Sequence, residues 1–451
     1  MKHTRARAGL LALLLLMSAA CARDDGGTAA DEDDGGETPT DDGGSGSDDA
    51  TSIDNGGFGD LEAVCQEGDA SGATATGVTD TEINLGTLTD KGFAGAAGLN
   101  EEMYDTAVAF AAWCNEHGGI LGREIVIDDL DAALTEYEAR ITEACEADFA
   151  LVGGGAVFDE DPNLVRVGCG LPNIAGYVVS EPARRADLQV QPLPNPVDEV
   201  GLGRYLAAKR DFPDGIKKYG IMAGNLPSVL LVRDQLVDGA EQLGYDVVYN
   251  IEYAPQGETG WANFVADMEA EGVEILDYVG QPTDFIALTQ AMDTAGWQPD
   301  VVLLSTNFYD AKYAEEAGDI APNLYIQSAF YPFELASENK ATQDYLDLME
   351  QYNSGGKVAG LGVQSMSAFL MFARAATECG SDLTSDCLLE QAAALTDWTG
   401  GGLHAPTTNE EPTGCYLLLG LDGDGFFYNE EATQPTDDVF NCDPESVVQV
   451  G

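Results

Sequence analysis

From Thr79 to the C-terminus, short apolar runs of strand length alternate with longer runs of helical period, and this rhythm constrains the fold more than any other feature. Ile83 to Thr89 reads as a strand, Asn100 to Glu116 as a helix stopped by Gly118 and Gly119, Glu124 to Asp129 as a strand, Leu134 to Ala147 as a helix, and Phe149 to Gly153 as a short strand. After a proline-rich join, Gln191 to Pro196, the pattern resumes with helix Val197–Lys209, strand Tyr219–Met222, helix Ser228–Leu243 and strand Asp246–Tyr253. Helix Trp261–Glu271, strand Ile275–Val279, helix Phe285–Ala295 and strands Val301–Leu304 and Leu324–Gln327 continue it. Helices near Gln343–Tyr352, Gly362–Thr377 and Leu383–Leu395 follow, then strands Tyr416–Leu421 and Gly425–Tyr428 around an Asp422-Gly423-Asp424 hairpin turn. Alternation over roughly 370 residues exceeds one ordinary domain, so the expected architecture is α/β with two doubly wound, Rossmann-like lobes.

The first residues have a different purpose. Lys2, Arg5 and Arg7 precede the apolar run Leu10 to Met17, and Ser18, Ala19 and Ala20 lead to Cys21, the pattern of an export signal over residues 1–21. The run is too short to span a bilayer, and no other stretch reaches membrane-spanning length. Ser-Ala-Ala-Cys resembles a bacterial lipobox, with Ser18 where leucine is usual; Cys21 is then the lipidated N-terminus, and simple cleavage after Ala20 or Ala22 is the alternative. Residues 22–60 are rich in Asp, Gly, Ser and Thr and have nothing to bury, which reads as a disordered acidic linker.

Removing Cys21 leaves eight cysteines, an even number in an exported chain, and no CxxC spacing, so four structural disulfides are expected rather than zinc or redox motifs. Cys114 pairs with Cys145 on neighbouring helices in this reading. Cys379 with Cys387 and Cys415 with Cys442 are local couples, and Cys65 with Cys169 follows by elimination.

Twenty basic side chains stand against 79 acidic ones, a net charge of −59, which repels phosphate backbones and excludes nucleic-acid partners. The bland account of this acidity is a solvated negative surface. Three histidines, His3, His117 and His404, with no GxSxG or HExxH pattern, argue against an enzyme, a metal site or a cofactor.

The segment GVTDTEINLGTLTD, a long helix and then NEHGGILGREIVIDDLD strongly resemble type I periplasmic solute-binding proteins of ABC importers, the leucine/isoleucine/valine-binding branch. EQLGYDVVYNIEYAPQGETGWANFVADMEAEGVEIL is similar to a later part of the same family. The resemblance runs from residue 78 to the C-terminus. It implies a first lobe of residues 61–194 and 328–410 and a second of 195–327 and 411–451, joined by hinge crossovers. It also implies a small-molecule solute, such as a branched-chain amino acid or an amide, trapped in the cleft, and an ABC permease complex as partner. With Cys21 lipidated, the body is attached to the outer face of the cytoplasmic membrane. A ligand-sensing receptor of the same fold is the rival reading.

Ligands of open α/β sheets sit beyond the carboxyl ends of the strands. In the first lobe those ends nominate Thr89, Asp90, Phe93, Gly154, Gly155, Ala156, Ala175 and Tyr177; in the second, Asn225, Gln281 and Asn307; at the crossover, Phe330 and Tyr331. These amides, hydroxyls and rings suit a small polar solute. One departure stands out: amino-acid binders of the family present Ser or Thr after the Val-Gly strand end, whereas here Val152-Gly153-Gly154-Gly155-Ala156-Val157 has no hydroxyl. Carboxylate capture would then fall to the bare N–H groups of the glycine run.

Overall fold

The computed structural model describes residues 52–161, 164–255, 257–408 and 411–451. The export signal, Cys21 and the acidic linker up to residue 51 lie outside the described residues.

Five parallel strands form the first sheet: β1 (Glu82–Thr89), β2 (Glu124–Asp131), β3 (Ala150–Val152), β4 (Asn173–Ile174) and β5 (Gln189–Val190), in the order β2-β1-β3-β4-β5. α1 (Glu101–Glu116) links β1 to β2 and α2 (Tyr137–Ala147) links β2 to β3. Because the chain moves outward from β1 and then back across it, right-handed crossovers place these helices on opposite faces. Phe110 and Trp113 of α1 accordingly share one core with the later helices, while Ile141 and Ala144 of α2 pack with Leu88, Leu130 and Leu151 in another. Short helices α3 (Val165–Cys169) and α4 (Glu181–Arg184) flank β4.

Strand β6 (Glu199–Gly201) and helix α5 (Gly203–Asp211) open the second lobe. Its sheet comprises β7 (Tyr219–Gly224), β8 (Val247–Tyr253), β9 (Ile275–Val279), β10 (Val301–Ser305), β11 (Leu324–Ser328), β12 (Leu417–Asp422) and β13 (Gly425–Tyr428). The order is β13-β12-β11-β10-β9-β7-β8; the first five in sequence are parallel, and β12 and β13 form an antiparallel hairpin on one edge. Helices α6 (Pro227–Gln242), α7 (Trp261–Glu271), α8 (Pro282–Ala295) and α9 (Ala311–Ala317) cover its faces. The chain then returns to the first lobe as α10 (Lys340–Tyr352), α11 (Gly360–Cys379) and α12 (Ser385–Ala393), before α13 (Glu430–Thr433) and β14 (Val447–Gln449) close the second. Among the described residues no helix is long and apolar enough to cross a membrane.

Three expectations need correction. The run Val197 to Lys209 is not one helix: residues 199–201 are β6, paired antiparallel with β14 almost 250 residues away, and helix begins only at Gly203. The linker does not extend to residue 60. Ser52–Asn55 form a 3-10 turn, Ile53 and Phe58 are buried, and the Trp113 indole N–H donates to the Ile53 carbonyl at 2.8 Å. Finally, the disulfides are Cys65–Cys114, Cys145–Cys169, Cys379–Cys387 and Cys415–Cys442. The local couples are as expected, but Cys114 and Cys145 ride on opposite faces of the sheet and cannot meet. Cys65 belongs to the N-terminal segment lying along α1, where the Gln66 N–H donates to the Gly119 carbonyl at 2.9 Å, whereas Cys145 faces Cys169 at the end of α3.

Phe58 is fully buried and edge-on to Trp113 at 6.5 Å. Phe58→Ala should therefore destabilise the protein by about 3–5 kcal/mol in denaturant unfolding, the range for emptying a buried aromatic site; an unchanged midpoint would mean that this segment is linker after all.

Candidate functional site

Strands of both sheets end toward one cavity of about 330 Å³. From the first lobe, Phe93, Leu99 and Asn100 follow β1, Leu134 follows β2, Val157 follows β3, and Tyr177 to Val179 follow β4, with Arg184 and Asn195 beyond. From the second, Gly224 ends β7 and Leu226 follows it, with Val229 and Val232 in the first two turns of α6. Tyr253 ends β8 and Pro255 follows it, Val279 ends β9 ahead of Gly280 and Gln281, and Ser305 ends β10 ahead of Thr306 and Asn307. Leu361, at the start of α11, completes the wall.

Two buried carboxylates shape the first-lobe wall without lining it. Asp90 accepts the backbone N–H groups of Leu134 and Val157, each at 2.7 Å, and so ties the loops after β2 and β3 to the end of β1. Asp159 accepts those of Val179 and Ser180, each at 2.8 Å, and fixes the turn after β4. Burial raises both pKa values, opposed by these same hydrogen bonds. The Asn195 amide donates to the Val178 carbonyl at 2.8 Å, and the Asn100 amide donates to the Tyr177 hydroxyl.

Several second-lobe polar side chains are spent on neighbouring groups, whereas the buried hydroxyls of Tyr253 and Thr306 have no hydrogen-bond partner. The Asn307 amide donates to the Gly280 carbonyl at 2.9 Å and accepts the Ser305 hydroxyl at 2.7 Å. The Gln281 amide donates to Asp284 at 2.9 Å. What faces the interior is thus chiefly aliphatic and aromatic surface. The expectation of a polar cleft is corrected on this point, because aliphatic side chains from both lobes, Leu226, Val229, Val232, Val178, Val179, Leu134 and Leu361 among them, line it.

Of the residues nominated from strand ends, Phe93, Tyr177, Gln281 and Asn307 line the cavity. Thr89 and Asp90 are buried beneath it, and Ala175 is in the core. Gly154, Gly155 and Ala156 sit behind Tyr177 around a void of about 10 Å³, room for no more than a water. Their glycines serve close packing: a Cβ on Gly154 would lie 2.3 Å from the Leu88 nitrogen. The N–H groups of Gly153 and Gly155 donate to the Ile174 and Leu88 carbonyls, which leaves neither for a solute carboxylate. Asn225 is exposed, its N–H donating to the Tyr253 carbonyl. Phe330 packs edge-on to His404 and Tyr331 packs near Phe440, each in a lobe core rather than in the cleft. The missed wall residues of α6 had a visible signal, since the run Leu226 to Val232 is more apolar than one buried helix face requires.

Polar contacts bridge the lobes around the cavity. The Ser228 hydroxyl donates to the Val157 carbonyl at 2.6 Å, and Arg184 Nη1 donates to the Gln235 side-chain oxygen at 2.8 Å. Lys357 lies between Glu102 of the first lobe at 2.9 Å and Asp310 of the second at 2.8 Å. Burial works against the Lys357 charge, yet the two carboxylates hold its pKa above the ordinary lysine range.

Two α/β lobes enclosing a cavity at their strand ends define the class of two-lobed solute-binding receptors. A family model described as Periplasmic binding protein matches residues 196–425, and the chain belongs to that family. No curated protein matches it. The fold is similar to a fatty acid ABC transporter substrate-binding protein from Thermomonospora curvata, at TM-score 0.66 and 15% identity over 85% of this chain and 96% of that one. It is also similar to a leucine binding protein from Thermotoga maritima, at TM-score 0.62 and 13% identity over 77% and 97% of the two chains. An ABC transporter substrate-binding protein from Desulfitobacterium hafniense, in complex with Leu, gives TM-score 0.55 and 15% identity over 77% and 99%.

Gly280 tests the wall directly. A Cβ there would lie 2.0 Å from the hydroxyl of Tyr253, which is buried and stacked on Tyr278 at 5.5 Å. Gly280→Ala should force the ring to move and destabilise the protein by about 1–3 kcal/mol in thermal unfolding; an unchanged melting temperature would refute the close approach.

Proposed function

We propose that this protein is the extracytoplasmic solute-binding subunit of an ABC importer, holding a small solute with an apolar body between its lobes and presenting the closed form to a permease. The carrying observation is the cavity itself: about 330 Å³, walled mainly by aliphatic side chains and bridged on its rim by contacts from both lobes. Its volume is within the range of small-molecule sites. Family membership supports the reading, as do the names of the similar structures, one of which cites fatty acid and another a bound Leu. Among the solutes the sequence left open, which were amino acids, amides, short-chain acids, ureas and aromatic acids, the aliphatic wall favours those with an apolar body and no α-ammonium group, since no carboxylate lines the cavity among the described residues to receive one.

The test is thermal unfolding of the mature, oxidised protein with octanoate, octanamide, 3-phenylpropanoate and leucine. A bound solute at about a hundred times its Kd adds roughly 2.7 kcal/mol to the native state, a rise of a few degrees. Silence from all four, in protein that unfolds cooperatively, would remove the reading. We propose further that Cys21 carries the lipid that holds the protein at the outer face of the cytoplasmic membrane, with the acidic segment as tether. Cys21→Ser should move the protein from the membrane fraction to the soluble one, and a variant that stays with the membrane would exclude this anchor.

A further inference from the structure

Arg184 is the single charged side chain among the described residues that line the cavity. Only its Nη1 is engaged, by the Gln235 side-chain oxygen at 2.8 Å and the Pro196 carbonyl at 3.4 Å, and its buried Nε has no partner. No described carboxylate lies within ion-pair distance; Asp159 acts on it only at longer range, its oxygens taken by backbone N–H groups. Arg184 is half-buried, and partial desolvation lowers its guanidinium pKa to about 10. Arg123 and Arg204 also leave a buried Nε without a partner, but each is otherwise engaged at both Nη atoms or by a carboxylate. Arg204 faces Asp277 at 3.4 Å, and Arg123 and Arg166 each commit both Nη atoms to backbone carbonyls.

We infer that Arg184 receives the carboxylate of the solute, and that the solute is an apolar monocarboxylate with no ammonium group. This rests on the cavity being the solute site and names the chemistry of that site. A guanidinium fork is matched to a carboxylate and keeps its charge at any physiological pH. In an aliphatic chamber the ion pair is formed away from water, where an unpaired partner on either side is costly. A neutral amide of the same length leaves the guanidinium uncompensated, and an amino acid brings an ammonium group beside a cation with no carboxylate to meet it.

The rival explanation makes Arg184 a strut between lobes through Gln235, and selectivity separates the two. Calorimetric titration of the mature, oxidised protein with octanoate, octanamide and leucine should give octanoate binding at least about tenfold tighter than octanamide, the factor expected for hydrogen bonds to a charged group. Leucine should bind no better than the amide. Arg184→Met should erase the preference for octanoate, Arg184→Lys should keep part of it, and Gln235→Leu, which breaks the bridge but leaves the guanidinium, should leave the octanoate-to-octanamide ratio unchanged. Equal binding of octanoate and octanamide by the unaltered protein, or an unaltered ratio in Arg184→Met, overturns the inference while the cavity remains the solute site. Failure of all three ligands to bind folded protein overturns both. If Arg184→Met does not fold, the ratio in the unaltered protein and in Arg184→Lys decides.

Discussion

A parallel sheet delivers all its strands to the same edge, and at that edge the chain must turn away into helices, leaving loops whose backbone groups need partners. In this protein two such edges face each other, and everything about the site follows from how the loops between them are satisfied. Asp90 and Asp159 do this for the first lobe, each gathering N–H groups from loops distant in sequence. The Ser305, Asn307 and Gly280 linkage does it for the second. Because these groups are consumed in holding the loops, the surface left over for a solute is mostly hydrocarbon.

The charge distribution carries the same logic. With 79 acids and 20 bases the chain carries a large net negative charge, and an anion approaching it gains nothing from the overall field. A lone arginine inside an aliphatic chamber is then a local exception that long-range electrostatics cannot provide. The bridging triad of Glu102, Lys357 and Asp310 is different in kind: its lysine is compensated from both lobes and has no charge left to offer.

Periodicity made the elements legible from sequence, and strand ends gave the outline of the site. Trp261–Glu271 and Ile275–Val279 agree to the residue, because amphipathic period and glycine caps are local properties. What sequence missed depended on distant partners. Strand β6 exists because β14 returns beside it, and the pairing of Cys114 with Cys65 depends on an N-terminal segment that looks like linker until Ile53 and Phe58 are seen buried. At the site, Phe93, Tyr177, Gln281 and Asn307 were reachable by counting from strand ends. Arg184 and Asn195 were not, since the stretch from residue 175 to 198 holds only α4 and β5, which are too short to show a period. Glycines 154 and 155 misled for a physical reason: they permit backbone to approach backbone, which resembles a ligand cradle in sequence and proves to be packing.

The account comes down to one position for the solute. The most direct measurement is a crystal structure of the protein grown with octanoate. It should place the hydrocarbon chain between Val229 and Val232 of α6 and Leu134 of the facing lobe, with the carboxylate on Arg184. Octanoate found outside the cleft, or a cleft empty in crystals of protein saturated with it, would contradict the account.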